Sequence, residues 1–484
     1  MEQRYKLQSV FKPNHRVNTR EHMDWAVYLF LLYSMCAVSA VQGNCPVECH
    51  CEKLNQVQCQ GEMITAFPSP IPPNTTYIYI AHTNISSLKP SDFESCAKTL
   101  KNVNISYSGI TEILDGTFNN THGLAVLSLT GTKLKGLPGH LFKNLGGLQR
   151  LLLDRNNITA LSRETFRGLS QLYSLDLSQN ALSTIPEGSF DDLQNLVQLS
   201  LYHNHIDRLP AQLFSRLHKL KELYLSRNCL SVLPIGIFSK LVALSKLSLF
   251  GNCLETLSVG VFGRMPLQKL WLHDNKLNRL EGDVFQNLTQ LRLLVLNRNR
   301  IGSVSVHAFR GLGALGELSL HTNMLDSLEE GTFSGLTSLV NISLEHNHLR
   351  SLPGNLLHGL ASLKRLDIHN NSLPNLPREL LASLDSVDEV LLSQNPWQCD
   401  QDIVPLRDWL RVHSSKVQNF SGMVCHLPVS LSGINIATFN DPDWQPAATL
   451  HGVEKDIVVI TVALVCTLII TVLLGIIFFW RRRE

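Results

Sequence analysis

From residue 77 to residue 395 the hydrophobic and polar positions follow one recurring frame. Two leucines flank a polar position, an asparagine follows, and a further leucine closes the unit, as in Leu175, Leu177, Asn180 and Leu182. The asparagines are Asn156, Asn180, Asn204, Asn228, Asn252, Asn275, Asn299, Asn323, Asn347 and Asn371, spaced by 24 with one step of 23, and Asn395 extends the run. A second column runs beside them: Phe118, Phe142, Phe166, Phe190, Phe214, Phe238, Phe262, Phe285, Phe309 and Phe333, with Leu357 and Leu381 taking over its slot. Alternation predicts a short strand with its leucines turned inward, and the fixed period stacks such strands into a parallel sheet. Asparagine carries both donor and acceptor, so it is expected to satisfy turn backbone on its own and the neighbouring rung. The phenylalanines are expected to fill the opposite, convex side.

Two columns locked to one period define a leucine-rich repeat solenoid, an α/β repeat built on a curved parallel sheet. Thr132, Ser108 and Thr83 occupy the asparagine slot toward the N-terminus, and Phe93 continues the other column. That predicts about fourteen rungs and a sheet of roughly 65 Å at ~4.8 Å per strand.

A solenoid exposes apolar surface at both ends and needs caps. Cys45, Cys49, Cys51 and Cys59 precede the first rung and assign residues 44–76 to an N-terminal cap, followed by repeats at 77–394 and a C-terminal cap at 395–437. Four clustered cysteines suit either zinc or disulfides. Nine N-x-S/T sequons (Asn74, Asn84, Asn104, Asn119, Asn157, Asn287, Asn341, Asn370 and Asn419) and a signal-like leader favour a secreted route and disulfides. The leader is residues 1–43, with an apolar run from Trp25 to Val38 and an alternative start at Met23. A polar stalk is expected at 438–456. Ile457 to Trp480 is 24 residues without a charge, or ~36 Å as a helix, enough to span a bilayer core. Arg481, Arg482 and Arg483 follow, which places the tail at 481–484 inside and the repeats outside: a single-pass type I plasma-membrane topology. A tail that short cannot carry a signalling motif, so signalling would need a transmembrane partner subunit. Thr467, Thr471 and Gly475, spaced by four, offer a small-residue face for one, or ordinary lipid-facing composition.

The chain resembles the extracellular leucine-rich repeat family from Cys45 to Cys425. The likeness is sharpest at the C-terminal cap, in Asn395-Pro396-Trp397-Gln398-Cys399-Asp400, Ile403, Pro405-Leu406-Arg407 and Trp409-Leu410. The commoner cap reads C-D-C; here Gln401 replaces the second cysteine, which implies one bridge, Cys399 to Cys425, in place of two. The resemblance implies a receptor or adhesion role and names no ligand.

Of the remaining cysteines, Cys96 holds a slot occupied elsewhere by leucine, so a buried thiol is expected over an intermolecular bridge. Cys229 and Cys253 hold the same exposed position on adjacent rungs, where a disulfide and two surface thiols are both open. On the concave face, Tyr202, Tyr224, Phe250 and Trp271 fall in outward slots of four consecutive rungs and Val295 continues the strip, rimmed by Glu222, Lys246, Lys269 and Asp274. Clustered aromatics that folding cannot bury read as a contact surface; the bland alternative is a sheet cover. His321, Glu345 and His369 share one outward column, with His273 and His346 near, but alternate rungs stand ~10 Å apart, which favours a solvated polar face over a metal site. Asn104 and Asn341 are sequons in concave slots, so glycans there would leave the middle free.

The net charge of +2 points to no nucleic-acid partner. The chain has no nucleophile elbow, phosphate loop or H-E-x-x-H, so no enzyme activity, cofactor or metal is expected. The expected function is a cell-surface receptor subunit or adhesion protein binding a protein or matrix ligand; the alternative is a non-catalytic scaffold that stabilises an enzyme or membrane complex.

Overall fold

A computed structural model describes residues 45–51 and 55–440, and beyond those Val462, Leu464, Val465, 467–473, Gly475, Ile476 and Arg482. The leader, most of the stalk, half of the span and most of the tail lie outside the described residues. The described residues between 462 and 476 are helical. Among the described residues no helix is long and apolar enough to cross a membrane.

The repeats form a single 17-stranded sheet. It opens with an antiparallel pair, Cys49–His50 on Gln56–Gln60, and every later pairing is parallel. Fourteen of its strands, from Tyr77–Ala81 to Glu389–Leu391, are the rungs. The pairing register repeats the sequence period: Gln198 faces Glu222 and Glu222 faces Lys246, while the short step pairs Lys246 with Lys269.

The asparagines act as anticipated. Asn204, 2% exposed, donates from Nδ2 to Leu177 O on the preceding rung at 3.0 Å and to Leu201 O on its own at 3.2 Å. Its Oδ1 accepts from Leu182 N at 3.0 Å. The same three bonds recur at Asn228, Asn252 and onward to Asn395. The residue before each asparagine takes a left-handed turn, with φ near 50–60° even for Arg155, Arg227 and Arg298. Cross-rung bonds such as Arg227 N to Phe250 O at 2.8 Å hold it there. Across the coil the phenylalanines stack face to face, with centroids 6.4 Å apart for Phe142 and Phe166 and 6.1 Å for Phe238 and Phe262. None of the column from Phe93 to Phe333 exceeds 1% exposure, so each contributes its full apolar burial.

Both ends are closed. Cys45 bridges Cys51 and Cys49 bridges Cys59, the disulfide alternative for that cluster, and Cys399 bridges Cys425. Trp397 is fully buried beneath the C-terminal cap, whose helix Val404–His413 carries Trp409; its Nε1 donates to Asp385. Packing continues through the buried Phe439, slightly past the expected cap boundary. Cys96 is a buried free thiol. Cys229 and Cys253 are also free, so the disulfide left open for them is not formed. Equivalent side chains on parallel rungs run side by side, whereas a disulfide needs its β-carbons under ~4.5 Å apart and turned about 90° to one another.

Candidate functional site

The strands Gln198–Ser200, Glu222–Tyr224, Lys246–Ser248 and Lys269–Trp271 place Tyr202, Tyr224, Phe250 and Trp271 on the concave surface, each half-buried. Two slots are involved. Tyr224, Trp271 and Val295 stand four residues before the asparagine, and Tyr202 and Phe250 stand two before it. Tyr202 and Phe250 belong to alternate rungs, yet their ring centroids approach to 6.2 Å. They lean together over Ser226, which is small, buried and bonded through its hydroxyl to Ser248. Phe250 then stacks on His273 at 4.6 Å with ring planes 7° apart, and the Arg227 guanidinium lies 5.9 Å from the Tyr202 centroid. The result is a short aromatic ladder along the floor of the concave face.

Tyr224 behaves differently. Its hydroxyl donates to Glu222 Oε2 at 2.7 Å, and Lys246 Nζ reaches Glu222 Oε1 at 2.8 Å. Burial alone would raise the Glu222 carboxyl, but these two donors outweigh it and hold the group below its usual value. Burial and the facing carboxylate push the Tyr224 phenol well above its usual value. Tyr224 is thus tied into the rim charges, while Tyr202 and Phe250 meet their neighbours through ring contacts and, at Tyr202, the Arg227 guanidinium.

Beyond Trp271 the face sinks into a groove of about 580 Å³. Trp271, Leu293 and Val295 supply apolar wall, and His273, Arg298, Glu317, His321 and Arg365 supply polar groups. This groove was not legible in the sequence; its one signal was Leu293, an apolar residue in an outward slot. The sequon Asn341 also lines it, so a glycan there would sit at its far edge. Asn104 is half-buried in its strand, far along the sheet from the ladder. Of the other sequons, Asn74, Asn84, Asn119, Asn157 and Asn419 are exposed, and Asn287 and Asn370 are half-buried.

The histidine column forms pairs. His321 Nδ1 lies 3.9 Å from Glu345 Oε1, and His369 Nδ1 lies 2.6 Å from Asp367 Oδ1. Among the described residues no group of three or more such side chains could hold a metal ion. Burial raises the Glu345 carboxyl, and Asp367 adds to the effect. His273 and His321 are lowered, both chiefly by burial; Arg298 adds to it at each, and Asp274 opposes it at His273.

Stacked coils, an asparagine ladder and cysteine-closed ends define a leucine-rich repeat protein. The family model described as leucine rich repeat matches residues 98–158, 146–206, 194–254, 289–349 and 337–396, together more than half of the chain. The chain belongs to the leucine-rich repeat family. Its relatives include mouse nephrocan, 33% identical over 120 residues, which is 25% of this chain and 22% of the relative. Human leucine-rich repeat-containing protein 15 is 40% identical over 68 residues, 14% of this chain and 12% of the relative. The matches thus span less than a quarter of either relative's length. Among solved structures, a leucine-rich repeat protein of Leptospira interrogans matches with TM-score 0.54 at 26% identity, covering 72% of this chain and 78% of that one. The Drosophila Toll–Spatzle complex matches with TM-score 0.63 at 22% identity, covering 80% of this chain and 60% of that one, a likeness of fold.

Proposed function

We propose that the chain is a single-pass, type I cell-surface receptor subunit or adhesion protein that holds a protein or extracellular-matrix ligand against its concave sheet. The observation that carries the reading is the ladder of Tyr202, Phe250 and His273 running into the groove walled by Trp271 and Val295. Such a surface presents large rigid area at little entropic cost, beside charged groups that can set register. No sequon falls between Asn157 and Asn287, so the ladder lies in a stretch free of glycan attachment. The uncharged 457–480 segment, long enough to span a bilayer core, supports the membrane anchor, and its Thr467, Thr471 and Gly475 face suits packing against a transmembrane partner subunit.

The test displays the full-length chain on cells and measures capture of secreted and matrix proteins. Combined Tyr202→Ala, Phe250→Ala and Trp271→Ala substitution should leave surface level unchanged and abolish capture; unchanged capture refutes the concave site. Purification in mild detergent with mass spectrometry of stoichiometric partners tests the subunit assignment. Recovery of the chain alone counts against it.

A further inference from the structure

Among the described residues six cysteines are bridged, Cys96 is a buried thiol, and Cys229 and Cys253 are free thiols that reach solvent, Cys229 exposed and Cys253 partly so. They occupy the same position of adjacent rungs, one residue after Asn228 and Asn252. Backbone bonds hold the rungs together at that point: Cys253 N donates to Leu230 O at 2.9 Å, and Leu230 N donates to Asn252 Oδ1 at 3.1 Å. The register therefore cannot slip, and side chains in like rotamers on these rungs would place the two sulfurs about one strand spacing apart, ~4.8 Å. That is more than twice a disulfide bond of about 2.05 Å. It is close to two metal–thiolate bonds of about 2.3 Å laid end to end, ~4.6 Å.

We propose that Cys229 and Cys253 form a two-coordinate thiolate site for a soft d10 cation of the Cu(I) type. Thiolate donors select soft cations. The neighbours in the same column decide the coordination number. The same column holds His205 one rung away on one side and Lys276, which is no ligand, on the other, so it offers two thiolates and no third sulfur. Zinc, which takes four donors, is therefore not served, whereas a linear S–M–S arrangement is. On binding, both thiols lose their protons to solvent and each sulfur donates an electron pair to the metal; no electron is transferred. The bis-thiolate complex of a monovalent cation carries one negative charge, and the Lys276 ammonium one rung away offsets it. Geometry thus explains both why the pair stays unbridged and what it can hold.

The test titrates the purified full-length protein with Cu(I) under anaerobic conditions against a chromophoric Cu(I) chelator. One equivalent should bind with release of two protons. Cys229→Ser and Cys253→Ser should each weaken binding at least 100-fold, while thermal stability, read in parallel, stays within a degree or two because neither side chain is in the core. Zn(II) at the same concentration should not bind. Cys96 remains in every variant as an internal control. No Cu(I) uptake by protein with both thiols free, uptake that survives either substitution, or recovery of the two sulfurs as a disulfide would each overturn the assignment.

Discussion

Replacing Asn204 by alanine removes three hydrogen bonds at once, to Leu177 O, Leu201 O and Leu182 N, from a site 2% exposed. Each bond is worth about 1 kcal/mol net, and each orphaned buried backbone group costs about 1–3 kcal/mol where water cannot enter. Partial relaxation trims the sum, leaving an expected loss of roughly 3–6 kcal/mol. Asn204→Asp is a sharper probe. It keeps the acceptor for Leu182 N but turns an ionised oxygen toward two carbonyls, so it should destabilise at least as much as alanine. Asn204→Thr should be mildest, because Thr132 fills the same slot naturally, its hydroxyl paired with Asn156 Oδ1. The assay is urea unfolding followed by tryptophan fluorescence, with amide exchange locating the loss to the rungs around residues 177–204. Nearest-neighbour coupling in a solenoid should keep distant rungs protected. An alanine variant within 1 kcal/mol of the parent, or an aspartate milder than alanine, would refute the ladder as the source of register stability.

Other consequences follow from single groups. The buried Cys96 thiol, pushed up to about 11, should resist iodoacetamide in the native protein, while Cys229 and Cys253 react promptly; mass spectrometry before and after denaturation reads both. At Gly131, φ is 65° and an added β-carbon would sit 2.7 Å from Tyr107 Cδ1, whose ring lies over it. Gly131→Ala should therefore cost about 1–3 kcal/mol and break the Arg155 contact to the Tyr107 hydroxyl. His273 and His321 are lowered in the folded chain, so the unfolded chain binds more protons and stability rises with pH up to the ordinary value of about 6.5. Changing both to Gln should flatten melting temperature against pH in the acid range below that value. Glu345 has the opposite sign: its raised carboxyl costs stability once ionised, so Glu345→Gln should raise the melting temperature at neutral pH and leave it unchanged in acid below the ordinary carboxylate range. A lower melting temperature at neutral pH would contradict the burial argument.

The repeat frame determined the fold in detail because a fixed period translates directly into a fixed stacking vector. Asn180 and Phe190 could be assigned to ladder and spine from position alone, and Cys399 to a bridge with Cys425 from the cap motif. The outward slots of Tyr202, Tyr224, Phe250, Trp271 and Val295 were legible for the same reason, since alternation decides which side chains miss the core. Only tertiary packing decided how those side chains lie. Tyr202 reaches Phe250 because Ser226 between them is small, and Tyr224 turns aside because Glu222 captures its hydroxyl. The groove beyond Trp271 and the unbridged Cys229 and Cys253 depend likewise on rotamers and cross-rung distances. Periodicity specifies where each backbone position repeats, but the lean of a side chain across rungs depends on the size and charge of its neighbours, and those do not repeat.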